Sequence, residues 1–230
     1  MKLTRLAAVA VILGCVVGAS GCGGSDKPPA KADPGASASA TAARDQQDKR
    51  LATIQLPEDA PGKEGGPTKL QPGTPFAGSP LGECDPGKDL KSDAQLTRAL
   101  QQSWQGGGSE LTLDNGVFGY EKLTAAEVLA EIRARVSGDC RNATGASVKH
   151  EFLRERQLVE LPGITMSYSY CTKVTYEGFP TPQAQCSVYF GREMGWGVLT
   201  CVVVSAGSET AAWKLASSVA PAAAARLVAA

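Results

Sequence analysis

Histidine is almost missing from this chain: a single one, His150, occurs in 230 residues. Among the seven cysteines no Cys-x-x-Cys occurs either, so the usual donor sets for zinc cannot be assembled and no metal is expected. A Ser-His-Asp relay would have to run through His150, in a segment from Val148 to Phe152 that reads as a strand, and no Gly-x-Ser-x-Gly elbow supplies its serine. Ser-x-x-Lys, the P-loop and a helix-opening Gly-x-Gly-x-x-Gly are missing too, which leaves no nucleotide or cofactor signature. Carboxylate pairs such as Glu127 with Glu131, or Glu151 with Glu155, have arginines nearby and read as solvated faces. The chain is therefore expected not to be an enzyme. An excess of one charge is lacking as well: 23 Lys and Arg balance 23 Asp and Glu, and no basic stripe interleaved with aromatics offers a surface to nucleic acid. No apolar run reaches the roughly 20 residues that a spanning helix requires.

What is present starts at the first residue. A basic start (Lys2, Arg5) leads into an apolar run from Leu6 to Ala19, followed by Ser20-Gly21-Cys22 and a glycine-rich exit. A charged head, a short apolar core and small residues at the cut are the marks of an export signal that is removed. Ala19-Ser20-Gly21-Cys22 resembles the lipobox of bacterial lipoproteins, although Ala19 stands where that family most often has Leu. The resemblance implies a signal peptide over residues 1–21, a diacylglycerol on the Cys22 sulfur, and acylation of the amino group that the cut exposes. Each buried methylene contributes about 0.8 kcal/mol, so two or three chains hold a protein on the membrane for practical purposes permanently.

From residue 22 to about 83, Pro, Gly, Ala, Ser and Thr dominate, and Phe76 is the one aromatic. Such a composition predicts a disordered tether, with a short helix-forming run from Ala42 to Ile54 inside it. A flexible chain of this length reaches on the order of 45 Å. The folded part is expected over residues 84–230 as a single α+β domain.

Within that domain, Ser92 and Gln95 form a capping box ahead of Leu96, Ala99, Leu100 and Trp104, which predicts a first helix. Asp114-Asn115-Gly116 reads as a tight hairpin turn between strands 110–113 and 117–120. Thr124 and Glu127 cap a second helix, with Val128, Leu129, Ile132 and Val136 as its buried stripe and Gly138 as its stop. Period-two alternation over 164–176, 183–191 and 196–205 predicts a three-strand antiparallel meander. A last helix, from Glu209 and disturbed at Pro221, closes the chain with Trp213, Ala216 and Val219 inward. The expected architecture is α+β, an antiparallel sheet of about five strands with about three helices packed mainly on one face.

Export to an oxidising compartment makes cysteine pairing the default, and five cysteines remain after Cys15 is removed and Cys22 is acylated. If residues 192–195 make the last hairpin turn, Cys186 faces Cys201 and the two are expected to bridge. In the same register Cys171 points to the other face, with Cys140 or Cys84 as candidate partners, Cys140 preferred and Cys84 then left over. That register also puts Trp196, Val198, Val202 and Val204 beside Tyr189, so Tyr189 and Trp196 are the expected contact residues for a partner or ligand.

The signal, the lipobox at Cys22 and the Ala/Gly/Pro-rich tether resemble an actinobacterial cell-surface lipoprotein. The order of helices, cysteine-bearing meander and Ala-rich terminal helix over Cys84 to Val228 is similar to the extracellular sensor domain of actinobacterial membrane serine/threonine kinases. That likeness implies two disulfides and a ligand-binding surface. The expected role is a non-catalytic, lipid-anchored binding or sensor module outside the cytoplasm. Its partners would be the membrane through the anchor and an envelope protein or apolar ligand. A carrier for a lipid, which needs a closed cavity of several hundred Å³, and an accessory subunit of an envelope complex are the alternatives.

Overall fold

The computed structural model describes residues 34–71, 78–81, 90–106, 111–144, 148–178 and 181–230. The signal peptide, Cys22 with its expected acylation, and Cys84 lie outside the described residues. Among the described residues seven strands form one antiparallel sheet in the order β1-β2-β3-β7-β6-β5-β4. They are β1 (Lys69–Gln71), β2 (Leu96–Gln105), β3 (Thr112–Tyr120), β4 (Val148–Glu155), β5 (Met166–Tyr176), β6 (Gln183–Glu193) and β7 (Gly197–Ala206). Among the described residues four α-helices accompany them: α1 (Pro34–Ile54), the single turn α2 (Ala60–Lys63), α3 (Ala125–Ser137) and α4 (Glu209–Ala229). The α+β class is as expected, and β5, β6 and β7 are the expected meander.

Both faces of the sheet are covered. One carries α4, whose Ala212, Ala216, Ala220 and Ala223 let the helix lie close against Val188, Phe190, Val202 and Val204. Small side chains on the helix and branched ones on the strands make up that layer. The opposite face carries α3, which sets Val128, Leu129 and Ile132 on Tyr168, Tyr189 and Leu199. Its start is built as the sequence predicts: the Thr124 hydroxyl accepts from the Glu127 N–H at 3.2 Å, and the Glu127 carboxylate accepts from the Thr124 N–H at 2.8 Å. These backbone and hydroxyl donors hold the Glu127 carboxyl below its ordinary range. α4 runs unbroken through Pro221.

The first expected helix is a strand. Lys91–Gln95 makes a 3-10 turn, whose Lys91 and Ser92 N–H groups donate to the Glu131 carboxylate at 2.6 and 3.0 Å, and β2 follows at once. The apparent helical stripe divides between the two sheet faces, Leu100 and Trp104 on the α4 side, Leu96 and Ala99 on the α3 side. Spacings of three and four also arise in a strand that is half-buried on both faces and bulged, as β2 is between Leu96 and Arg98.

The Asp114-Asn115-Gly116 turn is absent too: β3 runs straight through it, paired with β2 on one side and β7 on the other. Asn115 is fully buried. Its Oδ1 accepts from the Leu56 N–H at 2.9 Å, and its Nδ2 donates to Thr200 Oγ1 at 3.2 Å and to the Cys201 carbonyl at 2.9 Å. A side-chain amide that finds three partners in the core does not need a turn to satisfy it.

The domain also begins earlier than residue 84. Leu51, Ile54 and Leu56 are core residues beside Trp104 and Leu227. Trp104 Nε1 donates to the Glu58 carbonyl at 2.8 Å, Asp48 pairs with Arg98 at 2.8 Å, and β1 adds to the edge of β2. The expectation of a tether up to residue 83 is thereby corrected over this stretch. Three aliphatics at the right spacing suffice to fix a polar segment once a sheet is there to receive them.

Candidate ligand-binding cavity

α3 covers only one end of its sheet face. At the other end the strands present short or polar side chains, and a cavity of about 240 Å³ opens there. Gly116 forms part of its floor: a Cβ at that position would lie 2.6 Å from the Phe118 ring and 3.0 Å from Cys201 Sγ, so only glycine fits and the depth is kept. Phe118, Tyr189 and Val203 supply apolar walls, and Val148 and Tyr176 stand on the β4 and β5 side. Ser79, Pro80 and Leu81 close the rim, where the Tyr189 hydroxyl donates to the Pro80 carbonyl at 3.0 Å. Tyr189 stacks on Tyr170, their ring centroids 6.1 Å apart and their planes within 10°.

The polar groups of the cavity are Asp114 and Gln101 from β3 and β2, Gln185 and Ser187 from β6, and His150 from β4. Asp114 Oδ1 accepts hydrogen bonds from the Ser103 hydroxyl and, at 3.1 Å, from Gln101 Nε2. Burial raises the Asp114 carboxyl above its ordinary value of 3.8, and the two neutral donors offset that only in part. Burial likewise pushes the Cys201 thiol up to about 12. A nucleophilic or metal-binding cysteine needs its thiolate, so this protonated sulfur is a wall and not a reagent. Burial also raises the hydroxyls of Tyr170 and Tyr189. Among the described residues no three His, Cys, Asp or Glu side chains converge on a point where they could hold a metal ion.

The expected cysteine pairing is corrected. Cys171 and Cys186 sit directly opposite each other on β5 and β6, with Cα atoms 4.1 Å apart, and are bridged. Cys201 is a free, buried thiol, so Cys186–Cys201 does not form. The error was one of register. β6 extends to Glu193 and the turn is only Met194 to Trp196, with Gly195 at φ 81°, so Glu193 faces Gly197. Cys201 therefore lies opposite Tyr189 and Cys186 opposite Val204. An odd shift of three residues also exchanges faces. The preferred Cys140–Cys171 bridge is excluded because Cys171 is bonded to Cys186, and Cys140 is itself disulfide-bonded.

Tyr189 and Trp196, expected side by side, are separated by the sheet. Tyr189 is 1% exposed and lines the cavity, whereas Trp196 packs at the α4 side over Gly119, where a Cβ would come within 2.0 Å of the indole. Val198, Val202 and Val204 lie on that α4 side as well. Asp114 and Gly116 were missed because their sequence reads as a turn, and Gln101 because its segment reads as a helix.

No family model matches this chain, and no curated protein matches it. Among solved structures it is similar to the extracellular domain of PknH from Mycobacterium tuberculosis, at 14% identity and a TM-score of 0.47, over 77% of this chain and 96% of that one. The likeness assigns no residue a role here.

Proposed function

We propose that this chain is a non-catalytic binding module, lipid-anchored at Cys22 outside the cytoplasm, which receives a small molecule in the cavity beside Asp114. The observation that carries the reading is the cavity itself: about 240 Å³ of space in a sheet face whose other end is sealed by α3. Partly apolar walls with a few convergent polar groups are what small-ligand sites are made of. Its volume lies below the roughly 300–1,000 Å³ of drug-sized pockets, and a carboxylate sits inside it. An acyl chain would need more room and would leave Asp114 desolvated without a partner, which favours a small polar-headed ligand over a lipid cargo. The protonated Cys201 thiol supports binding over catalysis.

Native mass spectrometry of the protein extracted from its membrane in detergent tests both halves. The expected mass starts at Cys22, carries two or three acyl chains and includes a small retained adduct. Val203→Phe, which fills the cavity from β7, is expected to lose the adduct and keep the anchor. An unmodified Met1 start would overturn the anchoring. An adduct indifferent to Val203→Phe would overturn the cavity.

A further inference from the structure

Every other described carboxylate with a short ion pair finds its cation on the surface or at a helix end: Asp48 with Arg98, Asp59 with Lys63, Asp139 with Arg135, Glu209 with Arg154 and Arg156. Asp114 does not. Among the described residues that line this cavity there is no lysine or arginine, and the two described donors to Asp114, the Ser103 hydroxyl and the Gln101 amide, are neutral and both go to Oδ1. Oδ2 receives no hydrogen bond from any described residue. β2, which flanks β3, could have supplied a basic side chain at positions 101 or 103, and it supplies an amide and an alcohol. These hold the carboxylate in place without neutralising it.

We propose that the cavity is selective for a small organic cation, an amine with an apolar body, whose ammonium group pairs with Asp114 Oδ2. The inference rests on the cavity being the binding site, and it names the ligand class. The remaining walls suit the rest of such a molecule. Phe118, Val203 and Leu81 offer an apolar bed, and Phe118 and Tyr176 add two aromatic rings to the lining, a side-chain type that attracts cations. Anions fit badly: a carboxylate or phosphate would meet the Asp114 carboxylate across a cavity whose described lining holds no lysine or arginine. A neutral ligand would leave the half-buried carboxylate without a counter-ion among the described residues, so the cation is the occupant that improves the electrostatics of the site. Charge-assisted hydrogen bonds are about twice as strong as neutral ones, and the low local dielectric adds to the difference.

The test uses three probes of one shape on the purified full chain: phenethylammonium, 2-phenylethanol and 3-phenylpropionate, titrated by calorimetry and by chemical-shift perturbation. The expected order is ammonium, then alcohol, then carboxylate, with the first preferred over the second by on the order of tenfold or more. Asp114→Asn keeps an acceptor for Ser103 and Gln101, so it is expected to fold and to bring the ammonium down to the level of the alcohol. Equal binding of ammonium and alcohol, both lost in Val203→Phe, would overturn the charge selectivity while leaving the cavity reading in place. An ammonium preference that survives Asp114→Asn would place the counter-ion elsewhere and overturn the inference. Binding of none of the three at millimolar concentration would overturn it together with the cavity reading.

Discussion

Replacing Asn115 by leucine asks whether the segment around Leu56 belongs to the domain or hangs beside it. In the wild type the Asn115 amide is fully buried and makes three hydrogen bonds, one to the Leu56 N–H, 59 residues away, and two into β7. Leucine has nearly the same shape and no polar atom. The Thr200 hydroxyl keeps its own acceptor, the Gly116 carbonyl at 3.1 Å, so its loss is small. The Leu56 N–H is buried and has no second partner in the described hydrogen bonds, so it bears the full desolvation penalty of about 1–3 kcal/mol. Adding about 1 kcal/mol for the bonds into β7 gives an expected loss of about 2–4 kcal/mol. Against a typical domain stability of about 5–15 kcal/mol this is large. Urea unfolding with the disulfides oxidised reads the total. Hydrogen exchange locates it: amides from Leu51 to Leu56 should lose protection before those of β5 and β6. A change under about 0.5 kcal/mol, or uniform loss of protection, would refute the argument that Asn115 clamps the N-terminal segment.

Replacing Cys171 and Cys186 together by alanine opens a bridge of sequence separation 15 and should cost about 3 kcal/mol, seen as a lower urea midpoint. Peptide mapping should find 171 joined to 186, and iodoacetamide should label Cys201 only in denaturant, since it is buried and its thiol is pushed up to about 12. Glu209 accepts from Arg154 at 2.7 and 2.9 Å and from Arg156, and the Arg154 bonds lead in holding its carboxyl low. Glu209→Gln is expected to lose about 1 kcal/mol at neutral pH, since Arg154 stands largely in water and its pairing is screened. A carboxyl whose folded value is lowered stabilises above its unfolded value, so the gap to wild type should persist at neutral pH and close as pH falls through that lowered value. Asp114 has the opposite sign: its folded value is raised, so stability should fall as pH rises from 3.8 through that value, and Asp114→Asn should be the more stable protein at neutral pH. Thermal melts across pH 3 to 8 check both.

The parts of the fold that were legible are those written in local chemistry. The Thr124 and Glu127 box specifies the start of α3 within four residues, and the alternation in β5 and β6 needs only a neighbouring strand. The strands that were misread are central or carry polar residues satisfied at long range. β3 is paired on both sides and buried on both faces, so its period-two signal is erased, and its Asn-Gly pair mimics a turn. The register of β6 on β7 hinged on a turn of three residues rather than four. Since faces exchange with every odd shift, this one misplacement reassigned both cysteines and set Trp196 beside Tyr189 instead of across the sheet from it.

Three consecutive residues of β3 carry the distinction between structure and site. Asn115 points to the α4 side and has a partner for each of its polar atoms. Its role ends with holding Leu56 and β7 together. Asp114 and Gly116, one position to either side, point the other way: the glycine leaves space, and the aspartate brings a carboxylate into that space whose raised value reflects an unfavourable burial. An asparagine at 114 would accept the same two hydrogen bonds from Ser103 and Gln101 without that penalty. A folded protein that keeps the charge, beside a cavity kept open by glycine, holds a destabilising group where a ligand could relieve it, and such local conflicts mark sites rather than scaffolds. The stability gained by Asp114→Asn and the ammonium selectivity lost by it are two readings of one electrostatic conflict. A variant that gained neither stability nor neutrality toward the three probes would show that the carboxylate is already satisfied, and the argument for a cation would fail at its first step.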